Sequence, residues 1–259
     1  MRIPIYHIDA FTSRLFGGNP AAVCPLEEWL DDATLQAIAT ENNLPETAFF
    51  KGGGGAYDIR WMSPAREIDL CGHATLASGH VIFEVLERGR RDVVFHSKSG
   101  PLRVEKEDDR LVLEFPSRPP KPVPAPPLLA TILGRAPKEV LKARDLLAVF
   151  ESEADVLALK PDFQRMTTLD TFGVIVTAPG SDVDFVSRFF APAVGIPEDP
   201  VTGSAHCTLV PFWSERLGKK RLRARQVSAR GGDLVLEDLG ERVRIGGRTV
   251  QYLEGTLEL

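Results

Sequence analysis

Two short motifs of the chain place glycine and a polar residue at the start of an apolar run, and both could bind an anion. They are Gly72-His73-Ala74 and Gly203-Ser204-Ala205. Each run predicts a helix, and the free N–H groups and positive dipole end of a helix N-terminus attract small carboxylates. Glycine permits close backbone approach to a ligand, and His73 and Ser204 can add hydrogen bonds. The alternative is that Gly203-Ser204 only caps its helix and His73 makes an ordinary polar contact.

The helices that would present these motifs cover residues 74–86 and 205–217. Both are apolar around most of their circumference, which is typical of helices enclosed by protein. A third, peripheral helix is predicted over residues 32–42, with Asp31 as its N-cap. Pro211 lies inside the second apolar helix, where it removes a backbone donor and should kink the helix.

Short strands are predicted around the two apolar helices. They cover residues 57–62, 93–97, 102–105, 110–115, 145–150, 172–177, 224–229, 234–237, 242–245 and 249–253. Several alternate between apolar and polar residues and are joined by tight turns, as in antiparallel hairpins. We therefore expect an α+β fold in which each half of the chain forms a curved antiparallel sheet around one central helix.

The two halves also resemble each other in sequence. Residues 60–65 (RWMSPA) match residues 188–193 (RFFAPA), 128 positions further on, and Gly72 matches Gly203, 131 positions further on. The shared order and near-constant offset predict an internal duplication with three extra residues in the second copy.

A proline-rich segment divides the chain almost in half. Prolines occupy positions 116, 119, 120, 122, 124, 126 and 127. Because proline fixes φ and removes backbone donors, the segment should be extended. We predict an N-terminal barrel over residues 1–117, a connector over residues 118–127 and a C-terminal barrel over residues 128–259.

Composition excludes several classes of protein. The 259 residues are 43% hydrophobic and carry 31 Lys+Arg against 36 Asp+Glu, a formal net charge of −5, which argues against disorder and against a nucleic-acid partner. Cys24, Cys71 and Cys207 are too scattered for a disulfide framework or a structural zinc site, so no metal is predicted. There is no run of about 18 apolar residues and no secretory signal over residues 1–10, so we expect a cytoplasmic protein without a membrane partner.

Four ordered motifs resemble the PhzF-like family of phenazine biosynthesis proteins. They are residues 18–23 (GNPAAV), 43–50 (NLPETAFF), 69–77 (DLCGHATLA) and 198–206 (EDPVTGSAH), and a Gly231-Gly232 turn follows. The resemblance covers nearly the whole chain. It implies the diaminopimelate epimerase fold, with two pseudo-symmetric barrels each wrapped around a central helix, and a homodimer.

The resemblance further implies an isomerase that needs no cofactor and acts on a small amino- or hydroxy-carboxylate. The characterised activity of the family moves a proton within the ring of trans-2,3-dihydro-3-hydroxyanthranilate and gives a ketone. The catalytic residues that it implies are Glu46, His73, Asp199 and Ser204. The substrate-binding residues that it implies are Asn19, Cys71, Gly72 and Gly203.

These residue types suit a proton transfer between carbon atoms. Glu46 would be the general acid and base, so we expect it in a partly desolvated pocket between Pro45 and Phe49. Asp199, beside Ser204 and a helix N-terminus, would stay ionised and could bind a substrate ammonium.

Two other functions stay open at this point. In diaminopimelate epimerase and proline racemase two thiols face each other across the substrate, and Cys71 is similar in position to the first. The second thiol is missing, because residues 200–203 contain no cysteine and Cys207 falls one turn into the helix. The same fold could also bind a metabolite without turnover.

Overall fold

The computed structural model describes residues 1–259 and contains eighteen strands and six α-helices. The strands are β1 (Arg2–Ala10), β2 (Asn19–Pro25), β3 (Glu46–Gly53), β4 (Ala56–Met62), β5 (Glu67–Ile68), β6 (Asp92–Ser97), β7 (Gly100–Glu107), β8 (Arg110–Pro116), β9 (Lys121–Pro122), β10 (Glu139–Lys142), β11 (Leu146–Val149), β12 (Val174–Pro179), β13 (Phe185–Ala191), β14 (Ile196–Asp199), β15 (Arg221–Gln226), β16 (Gly232–Asp238), β17 (Arg242–Gly247) and β18 (Thr249–Glu258). The helices are α1 (Asp32–Asn42), α2 (Gly72–Val81), α3 (Leu129–Leu133), α4 (Glu153–Ala158), α5 (Phe163–Met166) and α6 (Gly203–Leu217). A π-helical turn over Ile82–Leu86 continues α2, and no helix has the length and hydropathy that a membrane-spanning helix needs.

The chain forms two compact units, and their boundaries differ from the predicted ones. The first unit comprises Met1–Glu114 and Gly246–Leu259, and the second comprises Phe115–Ile245. The C-terminal residues leave the predicted second barrel because β18 pairs with β1 along its whole length, from Arg2 opposite Glu258 to Ala10 opposite Thr249. The proline-rich segment is part of the second unit, where β9 pairs with β10.

The sheet of the first unit is mixed, whereas the sequence predicted antiparallel pairing alone. Strand β2 runs parallel to β3, with α1 between them in sequence, and β4 runs parallel to β6, with α2 between them. The reason is that a helical crossover returns the chain to the same end of the sheet, which a hairpin does not. Helix α2 packs against β1, β2 and β3, and every residue of it except Gly72 and His80 is buried, as predicted for a central helix.

The second unit repeats this order of elements. Strands β11 and β12 are parallel with α4 and α5 between them, and β13 and β15 are parallel across α6. Arg60 pairs with Glu67 through two hydrogen bonds in the first unit, and Arg188 pairs with Glu198 in the same way in the second. The repeated order supports the predicted duplication.

Helix α6 continues through Pro211. Proline has no N–H, so the carbonyl of Cys207 loses its helical donor. The backbone N–H of Arg118 in the proline-rich segment donates to that carbonyl at 2.9 Å. The segment therefore supplies a hydrogen bond that the helix lacks.

Candidate functional site

Three buried side chains meet at the N-terminus of α2. Cys71 is the N-cap residue, and its Sγ lies 3.6 Å from Nδ1 of His73. The other ring nitrogen of His73, Nε2, lies 3.1 Å from Oε2 of Glu46. Glu46 is 8% exposed, Cys71 6% and His73 7%. We call these three residues the Glu46 group.

Strand β3 delivers Glu46 to this place. It begins at Glu46 and runs parallel to β2, with Ala21 opposite Glu46. Successive side chains of a strand point to opposite faces, so Phe49, three positions on, lies on the other face. There it packs in an apolar cluster with Leu35 and Met62. The predicted pocket for Glu46 between Pro45 and Phe49 is therefore not observed. The imidazole of His73 and the thiol of Cys71 lie beside the Glu46 carboxyl group instead.

Burial and charge set the protonation of the Glu46 group. Burial alone would lower the pKa of His73, but Cys71 and Glu46 on its two ring nitrogens raise that pKa well above its ordinary value. Burial and the Glu46 carboxyl group raise the pKa of Cys71, and His73 partly offsets this. The close approach of Nε2 to Glu46 is an ion pair without the alignment of a hydrogen bond. A carboxyl group beside an imidazole places two groups that can accept or donate a proton next to each other.

The Glu46 group also has the composition of a metal site. One ligand atom from each of the three side chains lies within 4.8 Å of the others, and the N, S and O donors would suit zinc. However, Nδ1 of His73 faces Cys71 while Nε2 faces Glu46, so a single ring nitrogen does not address both partners. As placed, the side chains are paired with one another through both ring nitrogens of His73.

A second polar group surrounds the N-terminus of α6. Asp199 ends β14, and its Oδ2 accepts a hydrogen bond of 2.5 Å from the hydroxyl of Thr202. The hydroxyl of Ser204 accepts a hydrogen bond of 3.2 Å from Nη2 of Arg144. Neither α2 nor α6 has a side-chain N-cap bond, so capping is not the role of Gly203-Ser204. The first N–H groups of both helices have no carbonyl of their own helix to donate to.

The remaining predicted substrate-binding residues also lie at element ends. Asn19 is fully buried at the start of β2, two residues before the position opposite Glu46. Gly72 begins α2 and Gly203 begins α6. A Cβ on Gly203 would meet nothing within 4 Å, so the backbone there borders open space.

Sequence reasoning missed Arg144 and Gln226, which reach the N-terminus of α6 from other elements. The guanidinium of Arg144 lies 4.3 Å from the ring of Phe172 and pairs with Asp145 at 3.2 Å. Burial raises the pKa of Asp145, and the charge of Arg144 partly offsets this. Gln226, at the end of β15, is fully buried beside Thr202. No local motif marks these residues, because only the tertiary fold brings them to the helix.

Cys207 does not supply a second active-site thiol. It lies one turn into α6, where its Sγ is 3.7 Å from the carbonyl of Gly203. Burial raises the pKa of Cys207 to about 11, so it stays protonated. This arrangement agrees with the buried structural role expected from the sequence.

Known proteins resemble this chain in sequence and in structure. Residues 8–255 match the model of the family described as phenazine biosynthesis-like protein. An uncharacterized isomerase of Pseudomonas aeruginosa is 51% identical over 259 residues, with full coverage of both chains. The crystal structure of a phenazine biosynthesis protein of the PhzF family from Enterococcus faecalis has 47% identity and a TM-score of 0.98, again with full coverage of both chains.

A more distant structure shares the fold alone. The hydroxyproline epimerase of Agrobacterium vitis is 10% identical to this chain, with a TM-score of 0.62 over 99% of this chain and 92% of that one. The predicted α+β fold of the diaminopimelate epimerase type is therefore confirmed. The match over almost the entire length, together with relatives that are named isomerases, makes this chain an isomerase of the phenazine biosynthesis-like family.

Proposed function

We propose that the protein is a cofactor-independent isomerase that moves a carbon-bound proton within a small amino- or hydroxy-carboxylate. The observation that carries this proposal is the Glu46 group, in which a buried carboxylate lies 3.1 Å from a histidine whose pKa is raised. In the proposed reaction Glu46 takes a proton from one carbon as the C–H electron pair moves into the substrate. It then returns the proton to another carbon, so no redox partner is needed.

His73 and Cys71 assist this transfer. The raised pKa of His73 favours a positive charge 3.1 Å from the carboxyl group that takes the proton. The thiol of Cys71 at Nδ1 fixes the orientation of the ring. We propose that Gly72 donates its N–H to the substrate carboxylate and that Asn19 contacts the substrate.

The polar group at the N-terminus of α6 is proposed to hold the substrate. Asp199 would bind its ammonium, and Ser204 with the N–H of Gly203 would bind a carboxylate oxygen. Arg144, which already donates to Ser204, adds a positive charge that favours an anion there.

NMR in D2O tests the proposed proton transfer directly. The wild type is incubated with trans-2,3-dihydro-3-hydroxyanthranilate and a panel of small amino and hydroxy acids, beside Glu46→Gln. The exposed Glu41 on α1 gives the matched control Glu41→Gln. We expect deuterium incorporation or ring isomerisation in the wild type and the control, and at least a 100-fold loss of rate in Glu46→Gln.

Other outcomes would redirect the proposal. Exchange that survives Glu46→Gln but is lost in Cys71→Ser would support a thiol racemase, the second hypothesis, which the place of Cys71 in the Glu46 group favours. Line broadening of a carboxylate without exchange would support a metabolite-binding protein. An equal rate in Glu46→Gln and wild type would exclude Glu46 as the base.

A further inference from the structure

The side-chain amide of Gln226 makes three hydrogen bonds to the turn that links Asp199 to α6. Its Oε1 accepts from the backbone N–H of Thr202 at 2.9 Å. Its Nε2 donates to the carbonyl of Asp199 at 2.7 Å and to Oγ1 of Thr202 at 3.1 Å. Because one end meets a backbone donor and the other a backbone acceptor, the orientation of the amide is unambiguous.

This orientation determines where the hydroxyl proton of Thr202 points. A hydroxyl has one proton, and Oγ1 of Thr202 already accepts from Gln226. The proton is therefore directed to Oδ2 of Asp199, 2.5 Å away. A donor aimed at this oxygen stabilises the carboxylate form over the carboxylic acid.

We infer that Gln226 is a positioning residue that acts through Thr202, by directing its hydroxyl so that Asp199 is held as a hydrogen-bond-accepting carboxylate at the N-terminus of α6. The inference rests on the proposed role of Asp199 in substrate binding. It means that Asp199 binds a cationic or donor group of the substrate and does not deliver a proton to it.

The other charged and titratable groups around this turn do not oppose a carboxylate at Asp199. On β14 the neighbouring Glu198 is closed into its two-bond pair with Arg188 of β13. On α6, Nδ1 of His206 donates to the carbonyl of Thr202 at 2.8 Å, and burial lowers the pKa of His206 to about 4, so this ring is neutral at neutral pH. On β15 the residue that faces the turn is Gln226 itself, which does not ionise, and the guanidinium of Arg144, from the loop before β11, donates to Ser204, where its positive charge also favours a carboxylate.

The test follows the carboxyl carbon of Asp199 by 13C NMR as a function of pH in the isolated protein. We expect Thr202→Val, which has the same shape without the hydroxyl, to move the titration midpoint of this carbon up by about one pH unit. Gln226→Met should move it in the same direction, because the hydroxyl is then free to turn. Thr202→Ser retains the donor and should restore the wild-type midpoint.

The outcomes separate this inference from the proposed function. An unchanged midpoint in Thr202→Val, or an equal change in Thr202→Ser, would overturn it, and no substrate is needed for either result. Loss of deuterium exchange in Glu46→Gln tests the isomerase alone. If Thr202→Val fails to fold, the wild type still gives an answer, because a Thr202 hydroxyl proton that is not protected from solvent would contradict the inference.

Discussion

His73 and His206 lie in the first turns of the two central helices and favour opposite protonation states. Cys71 and Glu46 beside His73 raise the pKa of that ring well above its ordinary value. His206 has no carboxylate beside it. Its Nδ1 donates to a carbonyl, the ring of Phe185 lies at 6.0 Å, and burial lowers the pKa of His206 to about 4. His73 therefore favours its charged form, whereas His206 is a neutral residue of the core.

These pKa values predict how stability depends on pH. Between pH 4 and 6.5 the unfolded chain protonates His206 and the folded chain does not, so the free energy of unfolding rises with pH. The His73 contribution is fully present below pH 6.5 and is lost as pH rises through its folded pKa. We expect His206→Gln to remove about 3 kcal/mol of the rise between pH 4 and 6.5, measured by urea unfolding.

His73→Gln is expected to change the pH dependence in the opposite direction. It should flatten the decrease in the free energy of unfolding above pH 6.5 and leave the increase below pH 6.5 unchanged. Stability curves of either variant that run parallel to the wild-type curve at every pH would contradict the assignment of the two charges.

The strands before the central helices are held by a matched pair of arginines. Arg60 joins β4 to Glu67 of β5 and lowers the pKa of Glu67 to about 2. Arg188 joins β13 to Glu198 of β14, and its Nη1 also donates to the carbonyls of Val156 and Leu159. Arg188 therefore links β14, the strand that carries Asp199, to the C-terminal end of α4.

Lysine substitutions test this difference between the two units. Arg188→Lys leaves two carbonyls without their donor and should lower the free energy of unfolding by about 2 kcal/mol. Arg60→Lys should cost about 1 kcal/mol, because its further partner is the exposed Asp32. Thermal or urea unfolding measures both, and equal losses would contradict a special role for Arg188.

The sequence predicts some elements better than others for physical reasons. The central helices, α1 and the hairpin strands follow from apolar periodicity and turn residues. Strands β2 and β3 were missed because they pair in parallel and are buried on both faces, which removes the alternation that marks a strand. Strand β1 pairs antiparallel with β2 and β18 and was missed because most of its second half is buried, so the apolar and polar residues do not alternate there.

The residues of the candidate site also differ in how well the sequence predicts them. Glu46, His73, Asp199 and Ser204 lie in contiguous motifs, so the sequence identifies them, and their roles are still proposals. Arg144 comes from the loop between β10 and β11 and Gln226 from the end of β15, and a lone arginine or glutamine has no distinguishing pattern. Contacts between distant segments are what the sequence alone does not provide.

At the scale of the molecule, β18 brings an exposed aromatic pair to the surface of the first unit. Tyr252 is 53% exposed and its ring meets the 69% exposed Phe16 edge to face, with centroids 5.7 Å apart. Large exposed aromatic side chains that contact each other are typical of surfaces that bind a partner. We propose that a second copy of the chain covers this pair.

Light scattering tests the proposed homodimer. The expected mass of the wild type is twice the chain mass of 28.4 kDa. Tyr252→Glu should shift the mass toward one chain, because a charge in the interface loses its hydration. Leu239→Glu, at another exposed apolar residue, is the matched control and should leave the mass unchanged. A wild-type mass near 28.4 kDa would remove the homodimer.

The bond between Arg118 and the carbonyl of Cys207 has a consequence for amide hydrogen exchange. Amides in a proline-rich segment are normally exposed and lose their hydrogen within seconds, yet this one is bound inside the gap that Pro211 leaves in α6. Its hydrogen can leave only when the helix and the segment separate. The Arg118 amide therefore reports the opening rate of the helix that carries Ser204, from a peptide that is remote from it in sequence.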